Sequence, residues 1–138
     1  MPKPPETVTF FLDRSLGKRI FAGALRQAGV SVEVHDDYFR PDATDKEWLE
    51  VVGAKGWVVV TNDRRIRYRA IELRALRSSG VRAFAFTRGN FSGEEMAAIF
   101  LKALPKIQKF LRKHKRPFIA TITREGNVRM IVGHRETG

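Results

Sequence analysis

The chain of 138 residues contains no cysteine. That excludes a disulfide framework and a zinc–thiolate site, and it fits a reducing compartment. Long apolar runs are missing too. None approaches the roughly 18 residues a membrane span needs, so no membrane association is expected. The segment Met1 to Glu6 holds three prolines. It lacks the continuous apolar core, about 7–15 residues long, of a secretory signal. The expectation is a soluble, cytoplasmic protein. Histidine is scarce, and His35, His114 and His134 show no ligand spacing, so they read as surface residues. The deficit with most consequence is in acids: 15 Asp and Glu stand against 26 Lys and Arg, a formal net charge of +11. Such a surface attracts polyanions, and nucleic acid is the commonest in a cell. An acidic partner protein is the alternative.

What is present is an ordinary globular composition, 43% hydrophobic, in a length that suits one domain over residues 1–138. Residues 1–7 and 133–138 read as loose ends. The charge is segregated. Seven of the 15 acids lie between Glu33 and Glu50, Arg64 to Arg77 carries six arginines and one acid, and Lys102 to Arg116 carries seven basic residues and no acid. Segregation of this kind says more about binding than the total does.

Strand and helix patterns alternate along the chain. Val8 to Leu12 is a short apolar run that ends at Asp13. Leu16, Ile20, Ala24 and Ala28 then repeat at helical spacing, and Gly29 closes that helix. Val30 to Val34 reads as a second strand. Thr44-Asp45-Lys46-Glu47 is a capping box that opens a helix through about Val52, ended by Gly53 and Gly56. Trp57 to Val60 is a β-branched run of the kind found in buried parallel strands. It ends on Thr61-Asn62-Asp63, before an expected helix from Arg64 to Ser79. Val81 to Phe86 is a fourth strand. Ser92 to Glu95 is a second capping box, opening a helix to about His114 that Pro105 should bend or divide. Phe118 to Thr123 and Val128 to Val132 read as a hairpin. Repeated strand–helix units imply an α/β fold with a mostly parallel sheet of about four strands and right-handed crossovers. The hairpin is read as an appendix to that sheet.

Three acids fall at equivalent places. Asp13 ends the first strand, Asp63 follows the third, and Asp45 lies in the first turn of the helix after the second. In an open α/β sheet, ligands sit beyond the carboxyl ends of the strands. Three carboxylates converging there repel unless a cation lies between them. Oxygen-only ligands select a hard ion, Mg²⁺ or Mn²⁺, which suits hydrolysis of a phosphodiester. Each acid also has a plainer reading: Asp13 and Asp63 as helix caps, Asp45 as a charge favouring the helix dipole. Thr61 and Asn62 either serve the site or satisfy a turn. Glu72 is a fourth candidate acid, or the partner of a neighbouring arginine. Arg14, Arg64, Arg65 and Arg67 are candidate phosphate contacts, although a solvated helix face explains an arginine run equally well.

Phe11-Leu12-Asp13-Arg14-Ser15-Leu16-Gly17, Asp45-Lys46-Glu47-Trp48 and Gly56 to Ile66 resemble the PIN-like domains of VapC-type toxins, as does Pro117-Phe118-Ile119-Ala120. The likeness covers roughly residues 8–132, and the order and spacing of these short motifs carry it. It implies a three-layer PIN-like fold and a Mg²⁺- or Mn²⁺-dependent ribonuclease, the toxin of a toxin–antitoxin pair. Its partners would be RNA, a protein antitoxin and, commonly, a second copy of itself. The family's site acids map to Asp13, Asp45 and Asp63, with Glu72 a weak match to a fourth. Two rival readings stand beside it: a non-catalytic basic nucleic-acid-binding module with structural acids, and an interaction protein whose basic face meets an acidic partner.

Overall fold

Alternation along the strands decides the architecture. On β1 (Thr9–Leu12) Phe10 and Leu12 point to one side and Phe11 to the other, and all three are buried. The same division holds on β3 (Val58–Thr61) and β4 (Arg82–Phe86), where Val58, Val60, Phe84 and Phe86 line one core and Val59 and Ala83 the other. Strands apolar on both faces must be covered on both. The computed structural model describes residues 8–16, 19–62, 70–87 and 91–133, with backbone only for 70–73.

The sheet has six strands in the order β2-β1-β3-β4-β5-β6, with β2 (Ser31–Val34), β5 (Phe118–Ile122) and β6 (Val128–Val132) completing it. Every pairing is parallel except β5 with β6. The expected hairpin is present but is no appendix. β5 pairs along its length with β4, and Phe118, Ile119, Ala120 and Ile122 are buried. The count of about four strands is thus corrected to six. The burial pattern of β5 is that of an interior strand, which hairpin periodicity alone does not reveal.

Helix α1 (Ile20–Gln27) and α4 (Gly93–Lys113) cover one face; α2 (Asp45–Lys55) and α3 (Ala70–Ser79) cover the other. Both capping boxes form, at Thr44 with Glu47 and at Ser92 with Glu95. Three sequence expectations change. The inner face of α1 is Phe21, Ala22 and Leu25, and Ile20 is exposed; the large aromatic at 21 sets the helix rotation rather than the small alanines at 24 and 28. Gly53 does not end α2 but lies inside it, where a Cβ would collide with the carbonyl oxygen of Ser79. Its function is close packing of α2 on α3, and Gly56, at φ 73°, ends the helix. Helix α4 runs unbroken through Pro105, which is exposed, so its ring lies on the solvent side. The expected start of α3 at Arg64 lies outside the described residues. No helix among the described residues is long and apolar enough to cross a membrane.

Candidate active site

The strand order reverses between β1 and β3: β1 leads through α1 outward to β2, and β3 lies on its other side. This is a topological switch point, where the carboxyl ends of two neighbouring strands open into a crevice. Asp13 follows β1 at that point, its backbone N–H donating to the Val60 carbonyl of β3 at 3.2 Å. Thr61 ends β3 beside it.

Asp13 is half-buried and held on both oxygens. Its Oδ1 accepts from the backbone N–H of Ser15 at 2.9 Å and from the Ser15 hydroxyl; its Oδ2 accepts from the buried Thr61 hydroxyl. Ser15 Oγ also accepts from the Asn62 N–H at 2.8 Å and lies 3.3 Å from Thr61 Oγ1. The cap reading of Asp13 is therefore half right. Its Oδ1 does serve the 3-10 turn Arg14–Leu16, but the Thr61 contact crosses to another strand and no cap requires it. Asn62 Oδ1 is buried with no hydrogen-bond partner among the described residues.

Asp45 is not the cap of α2, because Thr44 and Glu47 fill that role reciprocally. Its Oδ1 accepts instead from the indole Nε1 of Trp48 at 2.9 Å. Trp48 in turn stacks on Phe11 of β1, ring centroids 5.5 Å apart. The first turn of α2 is thereby tied through one indole to the strand that carries Asp13.

A cleft of about 550 Å³ is lined by Leu12, Asp13, Arg14, Ser15, Val34, His35 and Asp36. Arg14 spans its wall, donating to the Pro41 carbonyl at 3.0 Å and pairing with Asp36 at 3.5 Å. His35 corrects an expectation. It is buried, 3% exposed, among the rings of Phe11, Phe39 and Trp48, with Nδ1 3.3 Å from Asp36 Oδ1. Here imidazole packs as an aromatic ring, a use that ligand spacing does not address. His114 is half-buried against Phe110.

Asp63, Arg64, Arg65, Arg67 and His134 lie outside the described residues, and Glu72 lies in the part of α3 described by backbone only. Among the described residues no three His, Cys, Asp or Glu side chains converge. The donors that are described, carboxylates and hydroxyls without sulfur, suit a hard divalent cation. Sequence reasoning missed the roles of Ser15 and Trp48, and although it named Arg14 it missed the row that Arg14 forms with Asp36 and His35. The first two had a signal: Ser two residues after Asp is the spacing of a local side-chain turn, and i, i+3 on a helix is a contact distance.

The model of the PIN-like domain matches residues 8–88, which takes in Asp13, Asp45, Thr61 and Asp63. The chain is 29% identical over 125 residues to a curated Mycobacterium tuberculosis protein named "Putative ribonuclease VapC45", covering 88% of this chain and 90% of that protein. No solved structure matches this chain. With the switch-point crevice, the fixed aspartate and the matched span in agreement, the chain belongs to the PIN-like domain family.

Proposed function

We propose that this protein is a metal-dependent endoribonuclease, the toxin of a type II toxin–antitoxin pair acting in the cytoplasm. The observation that supports it best is Asp13 at the switch point, with both carboxylate oxygens fixed by hydroxyls from two different segments. Such rigidity is what a site needs when ligands must be held within a fraction of an ångström. The ribonuclease name of the Mycobacterium tuberculosis relative points the same way.

Asp13, Asp45 and Asp63 would hold Mg²⁺ or Mn²⁺, with Glu72 a further candidate. Such an ion, when bound, lowers the pKa of water and offsets charge on the phosphate. The chain's own residues do the positioning. Ser15 and Thr61 fix the rotamer of Asp13. Trp48 fixes one oxygen of Asp45. Arg14, Arg64, Arg65 and Arg67 are proposed to hold the phosphate chain. A protein antitoxin and a second copy of the chain are the proposed partners.

The test is cleavage of a fluorescent RNA by wild type, Asp13→Asn and Asp45→Asn, each with EDTA and with Mn²⁺. Cleavage should need Mn²⁺ and vanish in both variants. The same samples should be melted. Mn²⁺ at about 100 times its dissociation constant stabilises a folded protein by roughly 2.7 kcal/mol, and the variants should show far less. Metal-independent cleavage, or equal Mn²⁺ shifts in all three proteins, would remove these acids from the site. RNA binding without cleavage in the wild type would favour the non-catalytic module.

A further inference from the structure

Among the described residues, a strongly one-sided charged surface lies away from the crevice. Lys102, Lys106, Lys109 and Lys113 follow at intervals of four, three and four on α4, which places them in one row along the helix. All four are exposed, and the inner face of the helix is Ala103 and Ile107. No acid occurs between Lys102 and Arg116, and no ion pair among the described residues involves any of the four lysines. A solvated helix face ordinarily interleaves the two signs, because like charges at i, i+4 repel. This one places like charges at both of its i, i+4 steps.

The row also has a direction. Helix α4 crosses back from β4 to the parallel strand β5, so its N-terminus lies at the edge where the strands end and its C-terminus at the opposite edge. The turn between β5 and β6 lies at the first edge. It meets the helix where Gly126 packs against the Lys102 side chain, 3.2 Å from Cγ for an added Cβ, and where Lys106 Nζ donates to Asn127 Oδ1. Arg124 on that turn is close enough to α4 to help lower the pKa of Glu95. Glu95 and Glu125 mark the upper limit of the basic row. Below it the row runs about 16 Å from Lys102 to Lys113 at 1.5 Å per residue. Sideways, β5 is three strands from β1, about 14 Å at the usual strand spacing.

We propose that the α4 lysine row is a second RNA site, binding the phosphate backbone of a strand that continues beyond the crevice. The proposal rests on the nuclease reading for the identity of the polyanion. Ammonium groups in a row, with no aromatic residue among them, recognise phosphate charge and not bases, so the site should be indifferent to sequence. An RNA that fills the crevice alone is too short to reach it. Affinity should therefore depend on RNA length as well as on charge.

The experiment compares wild type with the fourfold variant Lys102→Gln, Lys106→Gln, Lys109→Gln, Lys113→Gln, and with a fourfold Lys→Arg variant. Fluorescence anisotropy is read on a 30-nucleotide and a 6-nucleotide RNA from 50 to 200 mM salt. If all four lysines meet phosphates of a single strand, the log–log salt slope should flatten by about 2.8 in the Gln variant, at about 0.7 per contact. That amounts to a wild-type loss of affinity for the long RNA about 50-fold greater over this salt range. The 6-mer, which cannot occupy the crevice and the whole row together, should lose less affinity than the 30-mer, and the Arg variant should behave as wild type. An unchanged slope on the 30-mer overturns the site, as does an equal change on both RNAs. If the Gln variant weakens long-RNA binding but the wild type cleaves no RNA with Mn²⁺ present, the lysine row stands and the nuclease reading falls.

Discussion

At the scale of single residues, the site is organised by two hydroxyls. Ser15 is the more informative, because its Oγ meets three groups: Asp13, the Asn62 N–H and Thr61. Ser15→Ala removes the hydroxyl contacts but leaves the Ser15 backbone N–H on Asp13 Oδ1. A typical hydrogen bond contributes about 1 kcal/mol net, so stability should fall by about 1–2 kcal/mol while the fold persists. The Asp13 carboxylate would then turn more freely, and cleavage should fall by about 10- to 100-fold, the usual cost of losing a group that orients a metal ligand. A denaturant melt and an RNA assay on one preparation check both parts. Activity within twofold of wild type would show that Thr61 and the backbone suffice. Asp13, Thr61 and Asn62 were visible in the sequence as residues ending strands. That Thr61 serves Asp13 was not, because a contact across two strands follows from neither composition nor strand periodicity; that Trp48 serves Asp45 had only the i, i+3 spacing to signal it.

At the scale of elements, the capping boxes were the most legible features. They are local, and their chemistry is written in four consecutive residues. Tertiary packing decided what local signals could not: the rotation of α1 about Phe21, and the passage of α2 through Gly53 against Ser79. The box at α4 has a pH consequence. Glu95 has its pKa lowered, chiefly by the hydrogen bond to the Ser92 backbone and then by the Ser92 side chain, with Arg124 adding to it. A carboxylate lowered in the folded state contributes stability above its unfolded pKa and loses it as pH falls through the folded value. Wild-type Tm should therefore drop as pH is lowered below the ordinary carboxylate range, in part because this box opens. Glu95→Gln can still accept from Ser92 but does not titrate. Its Tm should be lower than wild type at neutral pH, and the gap should narrow in acid. A gap that stays constant across the acid range would mean that the Glu95 charge contributes nothing to α4. Tyr38 has its pKa raised by its hydrogen bond to Glu33, but it is a surface group and no comparable stability effect is expected.

At the scale of the whole molecule, the family match ends at residue 88, whereas the sheet does not. The first four strands and three helices contain Asp13, Asp45 and the switch point, so the matched span looks sufficient for the site. Packing argues otherwise. The core beside α1 and α4 includes Phe84, Phe100, Ile107, Phe118, Ala120 and Ile122, so residues beyond the match complete the layer that covers β1 and β3. Phe84 packs edge-on against Phe118 at 5.5 Å and against Phe110 at 5.8 Å. A chain cut after Thr87 would bare β4, a strand with four of its five residues buried, as a hydrophobic edge of the kind that aggregates. It should show no cooperative melt. A milder test keeps the chain whole. Phe118→Ala removes a fully buried ring that touches Phe84 and Phe110, and such changes cost about 3–5 kcal/mol. Marginal stability is typically 5–15 kcal/mol, so this loss should be large and global, lowering the midpoint for all probes together. Were β5 and β6 the separate hairpin that their periodicity suggests, Phe118→Ala would leave the main transition in place. Two spectroscopic probes decide between these outcomes: the fluorescence of Trp48 and Trp57, both on the sheet face opposite Phe118, and the far-ultraviolet circular dichroism of the whole chain. Coincident curves shifted to lower denaturant mean one core that runs from β2 to β6.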